Sequence, residues 1–238
     1  MSESPGGPDL PKALEQHAAY CRALQACGVE VIAMNADDSY PDGTFVEDTF
    51  VIADRVAIAT RPGAKTRMGE VGSVARAVQE LRPQLERIEA PGTVDGGDIC
   101  QVDDHFLIGL SARTNEAGAA QLAAVLARYQ YTSSTVDIRH HPALLHLKSG
   151  IAYLGEKRFL VAPGFPPLAE LAHFDMIEVA AGEIYAANAV RVNDEVLIAS
   201  GFPKLAGTLA KLRYRLRSLD MSEFAKMDGG LSCLSLRF

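Results

Sequence analysis

The hydrophobic and polar positions of the chain repeat one layout four times. Each copy is an apolar strand, a polar turn of two or three residues, a second apolar strand and a loop of small residues. Because the copies recur about every 40–50 residues, the pattern predicts an α/β architecture of internal repeats. The copies are FVIADRVAIATRPG (50–63), ICQVDDHFLIGLSARTN (99–115), IAYLGEKRFLVAPGFP (151–166) and AVRVNDEVLIASGFP (189–203).

Further elements are predicted between the hairpins. Repeated hairpins are antiparallel, which argues against an open parallel sheet. Helical periodicity predicts helices after three hairpins, at 69–82, 115–129 and 203–217, and a weaker one at 166–174. Strands are also predicted at 84–90 and 174–180.

The two ends of the chain supply the parts of a fifth unit. We predict a disordered start at 1–9, an amphipathic helix at 10–28 that ends at a glycine, and a strand at 29–34. The last predicted strand carries Cys233. A cyclic arrangement brings both ends together, so we expect a single domain over 10–238.

Composition narrows the classes of function. The 238 residues are 48% hydrophobic and carry a formal net charge of −7, so we expect no nucleic-acid partner and favour a small cationic one. No apolar run approaches the ~20 residues of a membrane span, and the start lacks a signal-peptide core. We therefore expect a cytoplasmic protein without a membrane partner. The cysteines are too few for a disulfide scaffold, and none of them form a CxxC metal pair. They are Cys21, Cys27, Cys100 and Cys233.

Polar residues concentrate just before the first strand of each hairpin. Equivalent positions of a cyclic repeat meet at one end of its axis, so a cysteine, a histidine and several carboxylates should line one pocket. Singly, each has an ordinary explanation as a core or turn residue; their convergence favours a site with a nucleophilic thiolate. In chain order they are Asp42, Glu47, Asp48, Asp95, Asp98, His146, Asn188, Asp228 and Cys233.

Six stretches together resemble the dimethylarginine dimethylaminohydrolase family of the guanidine-modifying superfamily. The resemblance covers the chain from about residue 10 to its end and implies a five-bladed α/β-propeller of ββαβ repeats with no cofactor and no metal. Members usually begin with a strand and a mobile loop that closes over the substrate, so an incomplete first blade is expected here. The stretches are PDGTFVED (41–48), TRPGAKTR (60–67), DGGDI (95–99), GLSARTN (109–115), LHLKS (145–149) and DGGLSCLSL (228–236).

The resemblance also implies roles for single residues. Cys233 corresponds to the nucleophile, His146 to the general acid and base, and Asp95 to the carboxylate beside the histidine. The implied reaction converts N-ω-methylated arginines to citrulline and an amine through a covalent thiouronium on the cysteine. The implied substrate-binding residues are Glu47, Asp48 and Asp228 for the guanidinium, Asp42 at the amino-acid end, and Arg67 and Arg113 for the α-carboxylate.

Two alternatives remain open at this point. The same residues would serve a hydrolase of another guanidine or ureido compound, such as arginine, N-hydroxyarginine or citrulline. The other alternative is a non-catalytic protein of the same fold, which the missing first strand supports and the intact Cys233, His146 and Asp95 oppose. The expected partner is a small cationic amino acid, and a homodimer is one candidate assembly.

Overall fold

The computed structural model describes residues 7–168 and 171–238. Within these ranges the chain forms four three-stranded sheets. Each sheet consists of an antiparallel hairpin and a third strand that runs parallel to the second strand of the hairpin. None of the helices in these ranges is long and apolar enough to cross a membrane. The sheets have the strand order expected of the predicted ββαβ repeat.

The first sheet contains β1 (Phe50–Ala53), β2 (Val56–Ala59) and β3 (Leu85–Arg87), and the second contains β4 (Ile99–Val102), β5 (His105–Leu110) and β6 (Thr132–Asp137). The third contains β7 (Ile151–Gly155), β8 (Arg158–Val161) and β9 (Asp175–Glu178), and the fourth contains β10 (Val190–Val192), β11 (Glu195–Ala199) and β12 (Arg215–Leu219). The α-helices of the described ranges are α1 (Leu10–Ala26), α2 (Glu70–Leu81), α3 (Glu116–Arg128), α4 (Pro203–Lys211) and α5 (Ser222–Ala225).

The predicted hairpins are confirmed, and their turn residues explain them. Asp103, Glu156 and Asn193 have φ angles of 53°, 53° and 51°, the left-handed conformation that tight hairpin turns favour. The second strand of each hairpin is the middle strand of its sheet, so its side chains are covered on both faces. Ile58 and Leu107 on these strands are accordingly 0% exposed.

The core lies between neighbouring sheets. Val51 and Ile58 of the first sheet pack with Ile99 and Ile108 of the second in one buried cluster. Full burial of an aliphatic side chain of this size stabilises the fold by roughly 1.5–3 kcal/mol. Strand β7, the first strand of the third sheet, contacts β4 of the second sheet and β10 of the fourth. Successive sheets therefore lie side by side around a common centre.

Three elements within the four sheet-forming repeats differ from the sequence prediction. The helix predicted over 203–217 ends at Lys211, because residues 215–219 pair with β11 as a third strand. The ββαβ repeat implies a strand before the third hairpin, but the sequence does not locate β6, because its TSSTVD buries only Val136. The helix predicted over 166–174 lies partly outside the described residues, and those described within it are not α-helical.

The fifth unit contributes α1 and α5 but no sheet among the described residues. The strands predicted at 29–34 and after Cys233 are wrong, because neither segment is paired in a sheet. A strand needs a hydrogen-bonded neighbour, and neither segment has one among the described residues. The expected incomplete blade therefore takes the form of a unit without a sheet.

Helix α1 packs against residues near the end of the described chain, as the predicted cyclic arrangement requires. The predicted disorder at 1–9 falls mostly outside the described residues, but Asp9 caps α1 by accepting the Lys12 N–H at 3.0 Å. Tyr20 is 1% exposed, and its hydroxyl pairs with Ser235 Oγ at 2.7 Å. The helix ends at Ala26 rather than at residue 28.

Short 3₁₀ turns bring the polar positions of the repeats together. Each of four turns precedes the first strand of a sheet, and a further one carries Cys233. Most neighbouring turns contact one another directly, so they surround the centre of the molecule. These inner turns are Val46–Thr49, Gly96–Asp98, Leu147–Ser149, Ala181–Ala187 and Ser232–Leu234.

Candidate active site

Hydrogen bonds from side chains to backbone link one inner turn to the next. Asp48 Oδ1 accepts the N–H of Gly97 at 2.8 Å. Asp98 Oδ1 accepts the N–H of Leu147 at 2.9 Å, while its other oxygen accepts two hydroxyl groups from the loop after β5. These acceptors satisfy buried donors that would otherwise be costly, and they fix the turns relative to one another.

His146 lies beside Asp48 and a second buried carboxylate, Asp95. Its Nε2 is 3.0 Å from Asp95 Oδ2 and 3.9 Å from Asp48 Oδ1. A Cβ at Gly97 would be 2.8 Å from the imidazole ring, so glycine is needed there. Burial disfavours the charged ring, but Asp48, Asp95 and Asp98 outweigh it and raise the pKa of His146 to about 9. The histidine is therefore protonated at neutral pH.

Asp95 is held as the anion that faces this cation. It is 1% exposed, and its Oδ1 accepts the N–H of Gly63 at 2.8 Å. Burial alone would raise the pKa of Asp95, but the hydrogen bond and charge of His146 lower it below its ordinary value. Asp95 and His146 thus form a buried ion pair with a fixed ring orientation, as the prediction of a carboxylate beside the histidine requires.

Cys233 lies in the last inner turn, where the charges of Glu47 and Asp48 act on it. Its Sγ accepts the N–H of Gly230 at 3.4 Å. The preceding residue, Ser232, donates its hydroxyl to Glu47 Oε2 at 2.8 Å, which ties this turn to the first inner turn. Burial, with the charges of Glu47 and Asp48, raises the pKa of Cys233 to about 12. A cation bound beside the thiol would counter those charges and lower its pKa.

Glu47 is engaged by other side chains, and its predicted role as a ligand of the guanidinium stays a prediction. Its Oε1 accepts Lys148 Nζ at 2.6 Å and Arg237 Nη2 at 3.1 Å, while Oε2 is used by Ser232. These four residues line a cavity of about 620 Å³ whose walls do not include the thiol or the imidazole. Both carboxylate oxygens of Glu47 are therefore engaged by residues that line this cavity, and the carboxylate acts on Cys233 through its charge.

We expect Glu47→Gln to make Cys233 more reactive. The amide is similar in shape but uncharged, so the thiol pKa should fall, and each unit gives about tenfold more thiolate at neutral pH. Alkylation by iodoacetamide at fixed pH, followed by mass spectrometry of the Cys233 peptide, measures the change. Glu86→Gln removes a carboxylate that pairs with Arg128 at the surface and should leave the rate unchanged. A slower reaction in Glu47→Gln would contradict this account.

Arg67 is also fully engaged. The side chain is 7% exposed, pairs with Asp48 Oδ2 at 2.5 Å and with Glu70 at 2.7 Å, and donates to Phe45 O at 2.9 Å. Burial opposes its charge, but these acidic partners raise the pKa of Arg67 above its ordinary value. Arg67 therefore orients Asp48 in this structure, and the predicted contact with a substrate carboxylate would require it to exchange a partner.

The remaining predicted binding residues lie towards the surface. Arg113 is partly buried, and within the described chain its guanidinium has no ion-pair partner. A Cβ at Gly63 would overlap the backbone of Arg113, so this arginine adjoins the loop that donates to Asp95. Asp42 and Asp228 are exposed, and Asp228 has a positive φ of 58° before the two glycines. Of the two arginines predicted to bind the α-carboxylate, Arg113 is the one whose charge is available to an anionic group.

Known proteins with the same sequence pattern identify the family. The arginine deiminase family model matches residues 81–205, more than half of the chain. An N(G),N(G)-dimethylarginine dimethylaminohydrolase from Pseudomonas aeruginosa is 47% identical over 234 residues, which cover 98% of this chain and 91% of that protein. The chain belongs to the dimethylarginine dimethylaminohydrolase family.

Solved structures of dimethylarginine dimethylaminohydrolases have the same fold. One, from P. aeruginosa, is a cysteine-to-serine variant complexed with citrulline, with a TM-score of 0.95, 46% identity and coverage of 100% of this chain and 92% of that chain. Another is a histidine-to-glycine variant in an adduct with S-methyl-L-thiocitrulline, with a TM-score of 0.95, 46% identity and coverage of 100% and 93%. The predicted family and fold class are thereby confirmed.

One group of side chains in this dimethylarginine dimethylaminohydrolase fold could hold a metal ion. Among the described residues, donor atoms of Asp48, Asp95 and His146 lie within 4.8 Å of one another. A histidine must be neutral to ligate a metal, whereas His146 is protonated at neutral pH. Metal binding would therefore compete with the ion pair that holds the imidazolium.

Sequence reasoning did not single out Lys148 or Ser232, although both lie in stretches typical of dimethylarginine dimethylaminohydrolases. Ser232 directly precedes Cys233, and Lys148 lies two residues after His146, which are both positions that the repeat pattern marks as polar. Arg237 carries no comparable signal, since it lies beyond the last family-like stretch, 228–236. Its contact with Glu47 spans 190 residues of sequence.

Proposed function

We propose that this protein hydrolyses N-ω-methylated arginines to citrulline and methylamine or dimethylamine. The observation that carries the proposal is the buried ion pair of His146 and Asp95 beside Asp48, whose charge also acts on Cys233. The citrulline complex of the P. aeruginosa family member supports citrulline as the product. The thiocitrulline adduct of the second family structure supports a site that can react with a close analogue of the substrate.

The charge of the site suits a guanidinium. A guanidinium carbon is a poor electrophile because its positive charge is spread over three nitrogens, so its plane must be held in line with the nucleophile. Asp48 is a buried carboxylate whose charge acts on both His146 and Cys233, and Arg67 keeps it in place. When the cation binds beside Asp48, it lowers the pKa of Cys233 and the thiol loses its proton to solvent.

The first half of the reaction forms a bond from sulfur to carbon. The thiolate of Cys233 attacks the central carbon and gives a tetrahedral intermediate. His146, protonated because its pKa is about 9, gives its proton to the substituted nitrogen as the bond from carbon to that nitrogen breaks. Dimethylamine leaves, a thiouronium remains on Cys233, and His146 is left neutral.

The second half removes the product from the sulfur. Neutral His146 takes a proton from a water molecule, whose oxygen attacks the thiouronium carbon. The bond from sulfur to carbon then breaks and returns the thiolate, and the new hydroxyl group of the product loses its proton to solvent to give citrulline. Asp95 stays ionised throughout and stabilises the imidazolium each time it forms. These steps use only side chains of the chain and one water molecule.

Purified protein incubated with dimethylarginine, monomethylarginine, arginine and N-hydroxyarginine tests the proposal. We expect citrulline from the methylated substrates, with the matching amine in equal amount. A higher specificity constant for arginine would instead support the alternative of an arginine hydrolase. Absence of product from every substrate would support a non-catalytic protein.

We expect Arg113→Ala to weaken the binding of amino-acid substrates. If its guanidinium binds the α-carboxylate, the loss removes a charge-assisted bond worth roughly 1.5–3 kcal/mol, or about tenfold to a hundredfold in kcat/KM. Methylguanidine, which has no carboxylate, should be a poor substrate to the same extent for both enzymes. Arg128→Ala, which removes a surface cation paired with Glu86, is the matched control. An equal kcat/KM for dimethylarginine in wild type and Arg113→Ala would contradict the role.

Three broader expectations also stay predictions. Subcellular fractionation would test a cytoplasmic location, and light scattering would test the homodimer. A single cooperative unfolding transition is expected if residues 10–238 form one domain.

A further inference from the structure

Asn188 joins the turn of the nucleophile to the turn that follows the histidine. The side chain is 6% exposed, and its Oδ1 accepts the N–H of Ser232 at 3.0 Å. Its Nδ2 donates to Ser232 Oγ at 2.9 Å and to the backbone oxygen of Lys148 at 2.9 Å. Both protons and the oxygen of the amide are therefore engaged. None of these bonds is used in the reaction steps above.

Asn188 also lies against the glycine that contacts the nucleophile. A Cβ at Gly230 would be 2.5 Å from Cγ and Oδ1 of Asn188, so the glycine backbone is in direct contact with the amide. The N–H of Gly230 is the group that donates to Cys233 Sγ. Three residues before Asn188, the hydroxyl of Tyr185 donates to Gly229 O at 2.7 Å. Tyr185 and Asn188, three residues apart in the chain, thus contact Gly229 and Gly230 respectively.

We propose that Asn188 is a positioning residue for the nucleophile, because it directs the Gly230 N–H towards Cys233 Sγ and aligns the cysteine's turn with that of His146. A donor aimed at sulfur favours the thiolate over the thiol. The alignment sets the line of attack, and a displacement of about 1 Å can cost about a hundredfold in rate. The effect on turnover rests on the proposed function, whereas the effect on the thiol does not.

Turnover by Asn188→Ala tests the alignment. We expect kcat, measured per titratable Cys233, to fall about tenfold to a hundredfold, while KM changes less than about threefold. A purely structural role would lower the amount of folded enzyme and leave kcat per titrated site unchanged. That result would overturn the proposal.

Asn115→Ala is the matched control for lost amide bonds. The Oδ1 of Asn115 accepts the N–H of Thr93 at 3.0 Å and that of Gly118 at 2.8 Å, and its Nδ2 donates to Pro91 O at 3.0 Å. The number of bonds equals that of Asn188, so the loss of stability should be similar. We expect kcat per titrated site and the reactivity of Cys233 to stay at the wild-type level. An equal fall in both variants would mean that lost stability explains the effect.

Alkylation of Cys233 by iodoacetamide across pH tests the donor without any substrate. In Asn188→Ala the midpoint should move to higher pH by about half a unit or more, because the thiolate loses a well-directed N–H. An unchanged or lower midpoint would overturn the proposal. If wild type hydrolyses no guanidine, the proposed function fails, yet this titration still decides the role of Asn188.

A milder variant keeps the test decisive if Asn188→Ala does not fold. Tyr185→Phe removes only the hydroxyl that bonds Gly229 and keeps the ring packed near Phe202, at a centroid distance of 5.9 Å. We expect the midpoint of Cys233 alkylation to move in the same direction by a smaller amount. No movement in this folded variant would overturn the proposal.

Discussion

Cys233→Ser should abolish turnover and leave the fold intact. A serine hydroxyl is nearly the same size as the thiol but far less acidic, and His146 is already protonated at neutral pH and cannot take its proton. Loss of the nucleophile should therefore lower kcat by about 10⁴-fold or more. Citrulline and dimethylamine formation from dimethylarginine, measured over hours at high enzyme concentration, gives the residual rate.

The matched control for this substitution is Cys21→Ser. Cys21 is also partly buried, but it lies on α1 with its Sγ 3.8 Å from His17 Nδ1. We expect its kcat to stay within about twofold of wild type. Residual turnover by Cys233→Ser within a hundredfold of wild type would contradict a covalent intermediate on this sulfur.

His146→Asn should lower kcat by about 10²–10⁴-fold, the usual contribution of a general acid and base. The amide has no proton to give the leaving amine and cannot activate water, so both halves of the reaction slow down. His140→Asn, in an exposed loop, should be neutral. Rapid-quench measurement of the first turnover would separate amine release from citrulline release, and both should be slow.

The same substitution gives a test in the pH dependence of stability. The pKa of His146 is raised from 6.5 to about 9 in the folded protein, so the folded state binds the proton more tightly. This stabilisation is complete below about pH 6.5 and is lost as the pH rises through 9. The difference in unfolding free energy between wild type and His146→Asn should therefore shrink over that interval. A constant difference would contradict the ion pair with Asp95.

The hairpins could be predicted because local chemistry decides them. A polar pair between two apolar runs, such as Asn193 and Asp194, leaves a tight antiparallel turn as the simplest arrangement. Of the third strands, β3 and β9 fall within predicted strands, whereas β6 and β12 depend on distant partners. Residues 215–219 continue the apolar spacing of the preceding helix, and only pairing with β11 makes them a strand. For 29–34 the composition indicates a strand, but the neighbour that would pair with it is lacking.

The site shows the same limit at the scale of one residue. His146, Asp95 and Asp48 could be predicted to meet, because equivalent repeat positions converge. The roles of Glu47 and Asp48 could not be separated in sequence. In a 3₁₀ turn, consecutive side chains point about 120° apart. Asp48 therefore faces His146, whereas its neighbour faces the cavity with Lys148.

The link from Glu47 to the last inner turn has a consequence for biosynthesis. Glu47 bonds Ser232 and Arg237 across 185 and 190 residues, and chains are made from the N-terminus at about 5–20 residues per second. The histidine and carboxylates are therefore synthesised seconds before the thiol. The predicted nucleophile is thus made after every other residue of the predicted site, and its turn can bond Glu47 only once residues 232–237 have been made.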